Sequence, residues 1–197
     1  MIGRSHWLTL TLAALLLASC GSSPAVRYFG LEAIGVAYQR DAADAPVLAV
    51  GPIRVPDYLK RPQMVTRGQG SEFLVDDFNR WAEPLDEAIH RTIASNIDGL
   101  LDSVIAVAFP SGAVLEIDYR LFGRIDRFDA DSGGNVTLDV QWGIGDASGD
   151  VLTAARRGRY QSRANQANDP AAIAAAMSDT LEQFSRDIAA EYEALSR

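Results

Sequence analysis

Apolar positions along this chain change period several times, and each change from two to three or four marks the boundary of an element. Residues 27–36 are rich in aromatic and branched side chains (Tyr28, Phe29, Leu31, Ile34, Val36) and predict a first strand. Residues 47–55 predict a second, interrupted by Gly51-Pro52 and stopped by Pro56, because proline supplies no ladder donor. Short pieces at 64–66 and 72–75 can pair around Gly68-Gln69-Gly70. Phe78, Trp81, Leu85, Ile89, Ile93, Ile97 and Leu100 then recur at helical spacing and predict an amphipathic helix, with Pro84 distorting its start. Its opposite face carries Asp86, Glu87, His90, Arg91 and Asn96 and is predicted to be wet.

Four strands follow by alternation, over 103–109, 114–128, 135–144 and 151–161, with turns at 110–112, 129–134 and 145–150. Leu115, Ile117, Tyr119 and Leu121 alternate with Glu116, Asp118 and Arg120, so that strand has one buried face and one polar face. Asp169 at an N-cap and Pro170 at the first helical position open a last helix, whose stripe is Ile173, Met177, Leu181, Phe184, Ile188 and Tyr192. The order predicts an α+β single domain: a mixed, mostly antiparallel sheet with two long helices packed on one face.

The first nineteen residues stand outside this pattern. A cationic start at Arg4 leads into an apolar run over residues 7–17, the length of a signal-peptide core and too short to span a bilayer. Leu17-Ala18-Ser19-Cys20 resembles the lipobox of bacterial lipoproteins, and Cys20 is the one cysteine of the chain. The reading is a signal peptide over 1–19, removed; a lipidated tether over 20–26; and a folded domain over 27–197. A mature chain of this size buries roughly 70% of its extended surface, so it has no need of a disulfide or metal staple. Cys20 is predicted to carry diacylglycerol and an N-acyl chain, and two or three chains anchor lastingly because each buried methylene contributes about 0.8 kcal/mol. Gly21 and Ser22 stand where an inner-membrane retention signal usually places aspartate, so the expected location is the periplasmic face of the outer membrane.

Charge excludes one class of partner. The precursor has 26 acidic and 18 basic residues, a net charge of −8, which repels phosphate backbones. Nucleic acid is therefore excluded, and bulk anionic lipid is repelled as well.

Catalysis finds no constellation. His90 is the one histidine outside the leader, read as a solvated helix histidine with Glu83 and Glu87 nearby. There is no nucleophile elbow and no phosphate-cradling glycine loop. Asp129-Ala130-Asp131-Ser132-Gly133-Gly134 could open a calcium loop, but the twelfth position is Val140 where a bidentate carboxylate is needed, so a hairpin turn is favoured. No enzyme activity, cofactor or metal is predicted. Arg156, Arg157, Arg159 and Arg163 gather in an acidic protein, either to blunt an edge strand or to dock an acidic partner.

Residues 50–67 (Val-Gly-Pro-Ile-Arg-Val-Pro-Asp-Tyr-Leu-Lys-Arg-Pro-Gln-Met-Val-Thr-Arg) and 78–85 (Phe-Asn-Arg-Trp-Ala-Glu-Pro-Leu) resemble the signature of the PqiC/YmbA family, the auxiliary lipoproteins of ABC-type transporters. Ala174-Ala175-Ala176-Met177-Ser178 with Leu181 and Ile188 is similar to that family's last helix. The resemblance covers nearly the whole mature chain. It implies a non-enzymatic part beside an MCE-type lipid transporter, docking a periplasmic MCE-domain protein at the outer membrane and supporting membrane integrity. The alternative is a periplasmic regulatory lipoprotein, for instance an activator of cell-wall synthases, on a similar small α+β domain. In the proline-bounded loop, Tyr58, Leu59 and Arg61 are the expected contacts to that MCE partner or to neighbouring copies of the chain. The competing arrangement has Tyr58 and Leu59 folded inward to cap the core.

Overall fold

The computed structural model describes residues 24–34, 45–110 and 116–196. The strands are β1 (Arg27–Phe29), β2 (Val47–Arg54), β3 (Gln63–Arg67), β4 (Phe73–Trp81), β5 (Ile105–Ala108), β6 (Tyr119–Asp131), β7 (Asn135–Asp146) and β8 (Arg156–Arg163). The helices are α1 (Leu85–Leu100) and α2 (Pro170–Leu195), and a single 3₁₀ turn covers Asp57–Leu59. The α+β class, the mixed sheet and the two helices are as the periodicity predicts. Cys20 and the leader lie outside the described residues, as do positions 35 and 36 of the predicted first strand, whose residues 30–34 are described and are not strand.

All eight strands belong to one sheet, and β6 is its axis. One edge of β6 pairs antiparallel with β7 along nearly its whole length, and β7 pairs with β8. These two long antiparallel ladders dominate the sheet, while its parallel pairings are short. The other edge of β6 is shared. β2 runs parallel to its first half, from Leu48 beside Tyr119 to Arg54 beside Arg124. β3 runs parallel to its end, with Thr66 beside Ala130 and Arg67 beside Asp131. The sheet therefore forks, with β5 beyond β2 and with β4 and β1 beyond β3. Residues 55–62 join the two prongs and pass alongside the stretch of β6 that neither β2 nor β3 reaches.

Both helices cover one face. Leu85, Ile89, Ile93 and Ile97 of α1 and Met177, Leu181, Phe184, Ile188 and Tyr192 of α2 are buried against Leu48, Val50, Leu121, Phe128, Leu138 and Ile144 of the sheet. Phe184 meets Trp142 edge to face with ring centroids 5.6 Å apart, and the Tyr160 ring lies 5.4 Å from it. As predicted, Asp169 caps α2: its carboxylate accepts from the Ala172 N–H at 3.2 Å, with Pro170 at the first helical position.

Three expectations are corrected. Phe78 and Trp81 belong to β4, not to the helix. Pro84 is the N-cap, with ψ 127° outside the helical range, and proline disfavours helical conformation in the residue before it, so the helix does not extend back through Trp81 and α1 begins at Leu85. Trp81 is buried from the strand, whereas Phe78 stays exposed. Asn96 is fully buried on the supposedly wet face. Its carbonyl accepts from the Ile34 N–H at 2.8 Å, its amide donates to Ser185 Oγ at 3.3 Å, and Ser178 Oγ accepts from the Glu32 N–H at 3.0 Å. Polar side chains on both helices thus hold the segment that follows β1. The third concerns Asp129, which lies within β6 rather than in the turn.

Candidate docking site

The loop over residues 55–62 is built from the core outwards. Its prolines fix φ and carry no N–H, which suits a connector that cannot join either ladder. Leu59 keeps only 4% of its surface in water and packs in the core, so the expected exposure of Leu59 is corrected. Tyr58 is half-buried. Its hydroxyl accepts from the Phe128 N–H at 3.1 Å, taking a donor on β6 that lies between the reach of β2 and β3. The same hydroxyl donates to Asp129 Oδ2 at 2.9 Å. Of the three expected contact residues, Arg61 alone is exposed, next to exposed Lys60 and Asp57, which pair at 2.6 Å.

Asp129 organises what surrounds it. Its side chain has no exposure, and a buried carboxylate is strongly disfavoured unless it is paired and hydrogen-bonded. Arg67 clasps it from β3 with two bonds, Nε to Oδ1 at 3.2 Å and Nη2 to Oδ2 at 2.7 Å. Arg127 Nε donates to Oδ1 at 2.8 Å. Phe73 of β4 closes the group, stacked on Tyr58 with centroids 4.6 Å apart and lying 4.7 Å under the Arg67 guanidinium. Burial, with the Asp129 charge beside it, pushes the Tyr58 hydroxyl up to about 12. The loop is thereby locked to β3, β4 and β6 by one ion cluster. Local sequence carries no signal for this, because Asp129 followed by Ala, Asp, Ser and Gly reads as turn chemistry.

His90 is also misplaced by periodicity. It is half-buried against a bulge in β2, where Gly51 has φ +124° and a Cβ would lie 2.9 Å from the Phe109 carbonyl oxygen. The Ile53 N–H donates to His90 Nε2 at 3.1 Å, and burial lowers the imidazole below its ordinary value. His90 pins a strand, and the solvated reading is corrected.

The remaining candidates resolve simply. Asp131 Oδ1 accepts from the N–H groups of Gly133 and Asn135 at 2.8 and 2.9 Å, which makes residues 131–135 a stapled hairpin turn. Among the described residues, no group of three or more His, Cys, Asp or Glu is arranged for a metal, and no helix is long and apolar enough to cross a membrane. Of the arginines on edge strand β8, Arg156 pairs with Glu191 and Arg159 clasps Asp139 at 2.6 and 2.9 Å.

Comparison with known proteins agrees with this framework. The model of the family described as ABC-type transport auxiliary lipoprotein component matches residues 29–189. The intermembrane transport lipoprotein PqiC of Escherichia coli K12 is 28% identical over 138 residues, 69% of this chain and 72% of that protein, and PqiC of Shigella flexneri matches equally. Among solved structures, an uncharacterized protein shares the fold with a TM-score of 0.70 at 19% identity, over 86% of this chain and 99% of that one. A protein from Xanthomonas campestris does so with a TM-score of 0.66 at 17% identity, over 87% and 97%.

Proposed function

Since the chain belongs to the ABC-type transport auxiliary lipoproteins, we propose that it serves as a non-catalytic docking component of an MCE-type intermembrane lipid transporter, held by lipid on Cys20 at the periplasmic face of the outer membrane. The observation that carries this is the family match over residues 29–189, which takes in β2 to β8, all of α1 and α2 as far as Ala189. The relatives named for intermembrane transport support the transport setting.

Tether length supports a receptor close to the bilayer. From Cys20 to Arg27, where β1 begins, seven residues span at most roughly 25 Å. A periplasmic bridge must then reach nearly to the membrane before it meets the domain. The loop over 55–62 serves this reading as a rigid rim: Tyr58 and Leu59 hold it from beneath, and Arg61 faces the partner. A rim ordered in advance loses little conformational entropy on binding.

The test is affinity capture of the lipidated chain from detergent-solubilised envelopes of its own bacterium. An MCE-domain protein enriched with the wild-type chain supports the proposal. Enrichment of cell-wall synthases with no MCE-domain protein overturns it in favour of the regulatory role.

A further inference from the structure

The two sides of the sheet are defended differently. β8 carries arginine at 156, 157, 159 and 163, the usual protection of an open strand edge. β4 is also open, because β1 pairs with it only at Asn79, Arg80 and Trp81. Among the described residues, Phe73–Asp76 has β3 on one side and no strand on the other, while Asp77 and Phe78 lie where the ladder jumps from Asp76 to Arg80 and the Phe78 N–H donates to Asp76 Oδ1 at 3.0 Å. That stretch has no lysine, arginine or proline. Phe73, Leu74, Val75 and Phe78 keep 40–47% of their surfaces exposed, with only the acidic pair Asp76 and Asp77 interrupting them.

Beside this edge lies a groove of about 470 Å³ between the β3–β4 hairpin, the β6–β7 turn and the start of α2. Met64, Leu74, Phe78 and Ile173 supply apolar walls, and its charged residues are Asp76, Asp77 and Asp131, with no basic residue among those lining it. The Asp131 carboxylate is held below its usual range, chiefly by Asn135, so that charge persists across physiological pH. The Asp169 cap already occupies the start of α2 and offsets the positive end of the helix. The surroundings therefore repel anions, phospholipid phosphates included, and favour cations.

We infer that this edge and groove bind an extended basic segment of a partner protein, one in which apolar side chains alternate with lysine or arginine. The segment adds to β4 as a further strand through main-chain hydrogen bonds. Its apolar side chains, all on one face by the period of two, enter the groove. The acidic charge of Asp76, Asp77 and Asp131 attracts its cations to this side of the domain. The inference rests on the docking function proposed above and identifies a place on the domain where such docking occurs.

The probe is a fluorophore-tagged peptide, Lys-Val-Lys-Val-Lys-Val-Lys, titrated by anisotropy with the full lipidated chain in nanodiscs. Saturable binding that weakens with salt is expected, with no binding of the matching Glu-Val peptide. Leu74→Asp and Asp77→Lys alter exposed positions and should each weaken binding by roughly tenfold. No binding of the basic probe, or unchanged affinity in both variants, overturns the inference. A solvent-sensitive dye on Leu74→Cys gives a second readout. A blue shift on adding phosphatidylethanolamine–phosphatidylglycerol vesicles to the chain without peptide would show a bilayer contact instead, and a shift already present in the chain alone and abolished by deleting residues 21–23 would show its own tether there. Capture of the MCE-domain protein separates the two proposals. If capture survives Leu74→Asp at wild-type level, the groove assignment fails and docking stands; if the wild-type chain captures none, docking fails and the peptide titration alone decides the groove.

Discussion

His90 on α1 and Ile53 on β2 are joined at 3.1 Å by a backbone N–H donating to imidazole Nε2, at the bulge where β2 shifts register against β6. Removing the ring leaves that donor unpaired. His90→Ala should therefore destabilise the domain by about 1–2 kcal/mol, read from the denaturant midpoint. The lowered imidazole value also gives a pH signature. The unfolded state takes up the proton first, so stability is complete above an unfolded value of about 6.5 and is lost as pH falls from there towards the lower folded value. The acid slope in this window should flatten in His90→Ala; an unchanged slope would mean that other groups cause it.

Asp129 should matter more than any exposed ion pair. Asp129→Ala leaves Arg67 and Arg127 facing each other without their carboxylate. The expected loss is about 2–4 kcal/mol, below the range for a fully buried pair because the two arginines keep 27% and 28% of their side chains in water. Tyr58→Phe, which removes two hydrogen bonds but keeps the ring stacked on Phe73, should lose about 1–2 kcal/mol. Ultraviolet titration should place the Tyr58 hydroxyl near 12, well above a free tyrosine. Chemical denaturation of the two variants checks the order, which reverses if the cluster is only decorative.

Within the loop, burial separates neighbours. Leu59→Ser should lower stability by about 2–4 kcal/mol because Leu59 is a core residue. Arg61→Glu should change it by less than about 0.5 kcal/mol. Under the docking proposal, Arg61→Glu nevertheless reduces partner capture. A melting temperature that falls as far for Arg61→Glu as for Leu59→Ser would contradict the placement of this loop.

The helix stripes, the N-cap at Asp169 and the α+β class were legible because each is a local matter of period and capping. The β4–α1 boundary was not. Phe78 and Trp81 happen to continue the three-to-four spacing of Leu85 and Ile89, and only pairing with β3, which is distant information, makes that stretch a strand. His90, Asn96 and Asp129 were misjudged for a common reason. Polar residues read as wet until a tertiary partner is known, and theirs are contributed by β2, by α2 with the segment after β1, and by β3 with the loop over 55–62. The resemblance in residues 50–67 located an important segment, yet much of it is occupied in building the fold: Gly51 in the bulge, Tyr58 and Arg67 on Asp129, Leu59 in the core.

Anchoring has its own check. Cys20→Ala should leave a non-lipidated precursor that no longer takes up labelled palmitate. Persistent labelling would place the lipid on another residue and overturn the lipobox reading.

Direct binding between purified proteins tests the central claim. The lipidated chain in nanodiscs is immobilised and the soluble domain of the MCE protein from the same bacterium is passed over it, with empty nanodiscs as reference. Saturable binding, weakened by Arg61→Glu in a variant that melts like wild type, is the expected result. Absence of saturable binding to the folded, lipidated chain would contradict its role as the docking component.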